Sequence, residues 1–204
     1  MTEEIISEKI HYIPASFAPL SADVGIVYEA GQTWLFDVGS SADAAAMLPE
    51  GCHAVISHFH QDHTGNLERV APEELYVSKE TFAHTHRGTV VQAELTVGGL
   101  HIFPLPSSHA KGCLGLEVDG TYVFVGDALY GKEKDGCLVF NATLLKDEID
   151  VLRGLQARWV LESHHMGDVR PKAEVLAELE AIYRLRQKNN PEIRMVRNDP
   201  GGEN

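Results

Sequence analysis

The sequence is poor in cysteine, in basic residues and in long apolar runs, and each shortage excludes a class of protein. Only three of the 204 residues are cysteines, and they lack the paired spacing of a disulfide framework or a cysteine-rich zinc site. No apolar run approaches the ~20 residues that a membrane helix needs. The 17 basic residues are outnumbered by 30 acidic ones, and a net charge of −13 disfavours binding to a phosphate backbone.

The same shortages set expectations about location and partners. The first ten residues are acidic and lack the apolar core of a secretory signal, and the scattered cysteines suit a reducing compartment. We therefore expect a cytoplasmic protein that acts on a small molecule, with no nucleic-acid or membrane partner. A homodimer stays open.

Short apolar runs that alternate with turn signals and helical stretches predict an α+β fold, with mixed or antiparallel sheets and helices packed outside them. The predicted strands include residues 9–17, 53–57, 100–105, 122–125 and 159–161, and the predicted helices include residues 64–70, 79–85, 144–155 and a long helix that begins at Pro171. Residues 131–140 are predicted to be a loop. No linker divides the chain, so we expect a single domain over residues 1–197 and a flexible tail over residues 198–204.

A dense group of metal-binding residue types follows the strand predicted at residues 53–57. Its members are His58, His60, Asp62 and His63. In an extended backbone His58 and His60 lie on the same side, and imidazole together with carboxylate suits Zn²⁺, Mn²⁺ or Fe²⁺. A solvated, histidine-rich loop is the alternative, but four donors at one strand exit argue for a metal site.

Three further donors, His109, Asp127 and His164, each follow a predicted strand. A polar residue at the end of a buried strand needs a partner, and a metal ion provides one. His165 is an alternative to its neighbour His164. Because strand ends meet at one edge of a sheet, we expect these donors to converge on the first group.

The order and spacing of these residues resemble the metallo-β-lactamase-fold hydrolases, and Asp37 in an Asp-x-Gly turn strengthens the match. The resemblance implies an αβ/βα sandwich of two mixed β-sheets with helices on the outer faces. It also implies two divalent ions and favours His164 over His165. The implied ligands are His58, His60 and His109 on the first ion, Asp62, His63 and His164 on the second, and Asp127 between them.

What the resemblance implies for function is a binuclear metal-dependent hydrolase, most simply with two Zn²⁺ ions, although Mn²⁺ or Fe²⁺ would also suit these donors. A metal-bridging hydroxide would cleave a small ester, thioester or lactone, and Asp62 could pass a proton to the leaving group. Two alternatives stay open: an oxidoreductase similar to the mononuclear iron persulfide dioxygenases, and a non-catalytic metal-binding module.

Within that family, glyoxalase-II-like thioesterases share the full ligand set, and lactonases place a tyrosine three residues after the bridging aspartate. Tyr130 follows Asp127 at that spacing, which implies that it binds a substrate oxygen; simple packing is the alternative. Asp37 is expected to orient a histidine, and Lys111 could meet a substrate carboxylate. His84 is expected at the surface or at the rim of the pocket.

Overall fold

The computed structural model describes residues 2–196. Its strands are β1 (Glu4–Ile5), β2 (Ile10–Ile13), β3 (Ser16–Phe17), β4 (Leu20–Ser21), β5 (Val24–Glu29), β6 (Gln32–Phe36), β7 (His53–Val55), β8 (Glu74–Val77), β9 (Thr89–Val90), β10 (Leu95–Val97), β11 (Leu100–Leu105), β12 (Cys113–Val118), β13 (Tyr122–Gly126), β14 (Lys132–Lys134), β15 (Cys137–Asn141), β16 (Trp159–Glu162), β17 (Arg170–Pro171) and β18 (Glu192–Val196). Its helices are α1 (Ala42–Met47), α2 (Gln61–Thr64), α3 (Leu67–Val70), α4 (Lys79–Thr85), α5 (Ala142–Gly154) and α6 (Lys172–Arg184).

Two mixed sheets form the centre of the fold. The first has the strand order β1-β2-β5-β6-β7-β8-β9, with parallel pairing from β6 to β9. The second has the order β10-β11-β12-β13-β16-β17, with β13 and β16 parallel. In addition, β14, β15 and β18 form a three-stranded sheet, and β3 pairs with β4 in a small hairpin.

The apolar residues of the strands divide between an inner and two outer layers. The inner core joins the two sheets, and within it the rings of Phe36 and Phe124 lie 5.2 Å apart. One outer layer packs Ala44 of α1 against the first sheet, and the other packs α5 and α6 against the second. This order of helix, sheet, sheet and helix is the sandwich that the resemblance implies.

Several element predictions agree with the structure, and others are wrong. The strand predicted at residues 100–105 and the helix predicted at 79–85 coincide with β11 and α4. The helix predicted at residues 64–70 is instead split into α2 and α3, and the strand predicted at 9–17 is interrupted after Ile13. Residues 131–140 are not a simple loop, because β14 and the start of β15 lie there.

The proposed division of the chain stays a prediction over residues 1–197, and the tail predicted at 198–204 lies outside the described residues. Within residues 2–196, no helix combines the length and the apolar character needed to cross a bilayer.

Candidate metal centre

The predicted site residues meet at one edge of the sandwich because they follow strands that end there. Asp37 follows β6, His58 lies just beyond β7, His109 beyond β11, Asp127 directly after β13 and His164 just beyond β16. In each sheet these strands point the same way, since β6 and β7 are parallel, β13 and β16 are parallel, and β11 is two antiparallel steps from β13.

The seven predicted ligands fall into two groups whose donor atoms lie within 4.8 Å of one another. The first group is His58, His60 and His109. Nδ1 of His60 lies 2.9 Å from Nε2 of His58 and 3.1 Å from Nε2 of His109, so three imidazole nitrogens face one point.

The second group is Asp62, His63, Asp127 and His164. Oδ2 of Asp62 lies 3.2 Å from Nε2 of His164 and 3.4 Å from Nε2 of His63. Because Asp62 and His63 lie within the short helix α2, they turn away from His58 and His60 and contribute to this second point instead.

Asp127 stands between the two groups. Its Oδ2 atom is 3.3 Å from Nε2 of His63 in the second group and 3.4 Å from Nε2 of His109 in the first. A carboxylate in this position can serve both groups at once. This is the placement that a bridging ligand requires.

Buried donor atoms without partners show that the site fits divalent ions. Among the described residues, Nε2 of His63 and Oδ1 of Asp127 are buried and accept or donate no hydrogen bond. Such atoms are costly to bury unless a further partner satisfies them. Imidazole nitrogens and carboxylate oxygens are the ligands that zinc and iron take in proteins, so two such ions would satisfy them.

Asp37 orients His63 from behind, as predicted for a residue that supports a ligand. Its carboxylate accepts hydrogen bonds from the backbone N–H and the hydroxyl of Ser57, both at 2.7 Å, and lies 2.7 Å from Nδ1 of His63. Asp37 and His63 are fully buried, so this contact holds the ring with Nε2 directed at the second group.

The two groups differ in their electrostatics. Burial lowers the pKa of His58 to about 2, and burial likewise lowers the pKa of His60 and His109, with neighbouring imidazoles adding to the effect. These three rings are therefore neutral at physiological pH and keep a lone pair for a cation. In contrast, the hydrogen bonds to Asp127 and Asp62 raise the pKa of His164 to about 9.

Carboxylates also control the protons of the second group. Burial alone would lower the pKa of His63, but the charges of Asp37 and Asp127 outweigh it and raise that pKa well above 6.5. Burial would raise the pKa of Asp127, but its contacts with His164 and His63 hold it far below the ordinary value. The carboxylates of the second group therefore stabilise positive charge on its histidines.

The structure places His164 in the second group and leaves its neighbour outside. His164 adopts a left-handed backbone conformation, with φ of 68°, which turns its ring towards Asp62. His165 is exposed and belongs to neither group. Its exclusion agrees with the choice of His164, although the metal-ligand roles of all seven residues stay predictions.

Tyr130 makes a contact that the sequence did not indicate. Its hydroxyl donates a 2.7 Å hydrogen bond to the backbone carbonyl of Ser163, and its ring lies 6.3 Å from that of His109. Tyr130 therefore connects the segments that carry His109 and His164. A substrate contact for Tyr130 stays a prediction, but its proton is already used within the protein.

Two clefts open beside the first group. One, of about 700 Å³, is lined by His60, His109 and the stacked rings of Phe59 and His84, whose centroids are 4.3 Å apart. The other, of about 370 Å³, is also lined by His109. His84 thus lies at the rim of the site, which is one of the two positions expected for it.

The exposed ring of Phe17 in the β3–β4 hairpin lies 6.1 Å from that of His164. The pairing of β3 with β4 places this ring beside the second group.

Comparison with known proteins supports the fold independently of the sequence. No protein-family profile and no curated protein matches the sequence at a significant level. Among solved structures, a metallo-β-lactamase from Hirschia baltica superposes with a TM-score of 0.65 at 14% identity, over 89% of this chain and 97% of that one. A metallo-β-lactamase from Pontibacter korlensis gives a TM-score of 0.62 at 19% identity, over 91% and 99% of the two chains.

A mutant flavo di-iron protein from Thermotoga maritima is also similar, with a TM-score of 0.66 at 15% identity. The match covers 92% of this chain but 62% of that larger protein. At these identities the likeness establishes the fold alone. The chain therefore has the metallo-β-lactamase fold.

Proposed function

We propose that this protein is a binuclear metal-dependent hydrolase that cleaves a small ester, thioester or lactone. The observation that carries the proposal is the position of Asp127, which lies within 3.4 Å of histidines from both donor groups. A protein that used a single ion would need only one of the two groups. A binuclear centre also accounts for the buried donor atoms that otherwise have no partner.

The proposed ligands follow the two groups in the structure. His58, His60 and His109 would hold one ion, and Asp62, His63 and His164 the other, with Asp127 shared. When bound, a pair of divalent ions lowers the pKa of water towards about 7 and polarises a substrate oxygen, which supplies hydrolytic chemistry at neutral pH. We propose zinc as the resident metal, and the likeness to a di-iron protein makes iron the alternative.

Side chains of this protein would direct that chemistry. Asp62 is half-buried beside His164 and can accept a proton and pass it to a leaving group. The ring of Phe17 lies 6.1 Å from that of His164, beside the same group. Cys113 is poorly suited to act as a nucleophile, because it is 2% exposed and burial raises the pKa of its thiol to about 12.

The first test is the metal content of protein purified without chelators or a histidine tag, followed by assays on esters, thioesters and lactones. We expect two equivalents of metal per chain and hydrolysis of at least one substrate class. One equivalent of iron, with oxygen uptake on a persulfide, would instead support the mononuclear dioxygenase. Two metals without turnover on any of these substrates would contradict the hydrolase.

Adjacent histidines provide a matched pair of variants for the ligand assignment. His164→Ala should lose one equivalent of metal and at least 10²-fold in kcat, since the contribution of the second ion to charge stabilisation is removed. His165→Ala changes the same residue type one position away, outside both groups, and should keep both metals and full activity. Equal effects in the two variants would show that the assignment is wrong.

A further inference from the structure

The larger of the two clefts, here called the lysine cleft, has side chains on its walls that the proposed hydrolysis does not use. It is lined by His60 and His109 of the first donor group and also by Lys111, Lys132 and Glu80. A molecule bound in this cleft beside the first donor group therefore meets two ammonium groups.

Neither lysine of the cleft forms an ion pair with another of the described residues. Within residues 2–196, neither Lys111 nor Lys132 has a carboxylate within ion-pair distance, although acidic residues outnumber basic ones by 30 to 17 in the sequence. By contrast Lys134, two residues along the same strand β14, is 3.3 Å from Glu192. Unpaired ammonium groups in an acidic protein point to a ligand of opposite charge.

The other polar side chains of the cleft are engaged elsewhere. The hydroxyl of Ser107 donates to the backbone carbonyl of Ala128, and the hydroxyl of Ser108 accepts from the backbone N–H of Asn141. Glu80 lies against the loop after His109, so close to Gly112 that a β-carbon there would be 2.3 Å from its Oε2. The lysines are thus the side chains best placed to recognise a ligand.

The second cleft offers the complementary chemistry. It shares His109 and Glu133 with the lysine cleft, and the apolar side chains of its wall, Leu129, Leu138 and Phe140, suit an apolar chain. A molecule whose reacting bond lies at His109 can place one end in each cleft.

We propose that the substrate carries a carboxylate that binds between Lys111 and Lys132, with its apolar part directed into the second cleft. A carboxylate fits better than a dianionic phosphate, because Glu80 and Glu133 line the same cleft and oppose a second negative charge. This inference rests on the proposed hydrolase for its chemistry, but the binding step can be tested separately.

The binding test compares two probes that differ only in charge, 4-phenylbutyrate and 4-phenylbutanamide. Dissociation constants are measured by ligand-detected NMR on the metal-loaded protein, on the double variant Lys111→Gln/Lys132→Gln and on Lys134→Gln, with metal content confirmed in each. Exposed ion pairs are individually weak, so we expect a preference of about fivefold for the carboxylate in the native protein.

The double variant should lose at least half of this preference, and Lys134→Gln should keep it. A carboxylate preference that is absent from the native protein, or that falls by less than half in the double variant, would overturn the inference. In the latter case the carboxylate would be held by the metal ions rather than by the lysines.

A kinetic arm separates this inference from the proposed hydrolase. The monophenyl ester of glutaric acid and its neutral terminal amide are compared as substrates, and kcat/KM should be higher for the acid, through a lower KM. If neither ester is cleaved, that proposed activity fails on these substrates, whereas the binding preference still decides the role of the lysines.

Discussion

At the scale of single residues, Glu148 places an ionisable carboxyl group in the core. It is fully buried in α5, and neither carboxylate oxygen has a hydrogen-bond partner among the described residues. Burial raises its pKa well above 4.5, and the nearby charge of Glu162 adds to the effect. A carboxyl group of this kind stays protonated in the folded protein after the unfolded chain has released its proton.

Glu148 should therefore make stability depend on pH with a definite sign. Between 4.5 and the raised pKa the folded state binds more protons than the unfolded state, so its stability falls as pH rises. Glu148→Gln removes this dependence, and the stability difference from the native protein should grow by about 1.4 kcal/mol per pH unit in that window. Urea unfolding at several pH values measures it.

The neighbouring residue supplies the control. Asp147 is exposed on the same helix, so Asp147→Asn should leave the slope of stability against pH unchanged. Parallel curves for Glu148→Gln and the native protein would show that Glu148 is not held in its protonated form.

Tyr130 provides a second prediction at this scale. Tyr130→Phe leaves the carbonyl of Ser163 without its donor and should lower the free energy of unfolding by about 1–2 kcal/mol, with KM unchanged. Tyr122 is also half-buried, with no hydroxyl contact in the described part of the chain, so Tyr122→Phe should have little effect. A raised KM at unchanged stability would instead support the substrate contact implied by the family resemblance.

At the scale of elements, the two sheets approach closely where β13 ends. Gly126 has φ of 58°, and a β-carbon on it would lie 2.6 Å from the β-carbon of Ser57. Ser57 in turn hydrogen-bonds Asp37, so a displacement here reaches the support of His63.

Gly126→Ala should be destabilising by about 3 kcal/mol, because a backbone strain of about 1 kcal/mol is joined by a steric clash. Gly136 also has positive φ, at 72°, but has no atom within 4 Å of its added β-carbon. Gly136→Ala therefore measures the strain alone and should cost about 1 kcal/mol. Chemical denaturation compares them, and equal costs would contradict the close approach.

Helical periodicity predicted the length of α5 well but not all of its buried face. Leu145, Ile149 and Leu152 of the apolar stripe pack inward, whereas Leu144 of the same stripe is 36% exposed and lines the lysine cleft. Glu148 takes an inward position that an apolar pattern would never assign to a carboxylate. The helical repeat determines which residues of α5 share a face. The packing of α6 and the second sheet then determines which of those residues are buried.

At the scale of the whole molecule, the candidate site links both sheets, so bound metal should stabilise the fold. An ion that binds only the folded state raises the free energy of unfolding, by about 2.7 kcal/mol when the free ion is at 100 times its Kd. For a chain of this size, chelation should then lower Tm by about 5–10 °C, as measured by scanning calorimetry.

Reloading the stripped protein with zinc should restore Tm, which separates metal loss from irreversible damage. A melting curve that stays unchanged after verified metal removal would mean that the donors do not contribute to folding. The cytoplasmic location and the homodimer are also properties of the whole molecule, and they stay predictions.

The sequence by itself determined the elements whose signals are local and the residues whose chemistry is unusual. The histidine-rich segment after residue 57 can be recognised because neighbouring residues carry the whole signal. Strand alternation and strand exits were enough to select all seven donors, although their assignment to the two groups came from the family resemblance.

Only the tertiary structure decided which distant segments meet. The pairing of β15 with β18 joins residues 51 to 59 positions apart, and nothing in either strand's own sequence specifies its partner. The bond from Tyr130 to Ser163, the inward turn of Glu148 and the shared cleft of Lys111 and Lys132 have the same origin. Such contacts depend on how the two sheets stack. The side-chain pattern along one strand or helix carries no information about which distant segment will lie beside it.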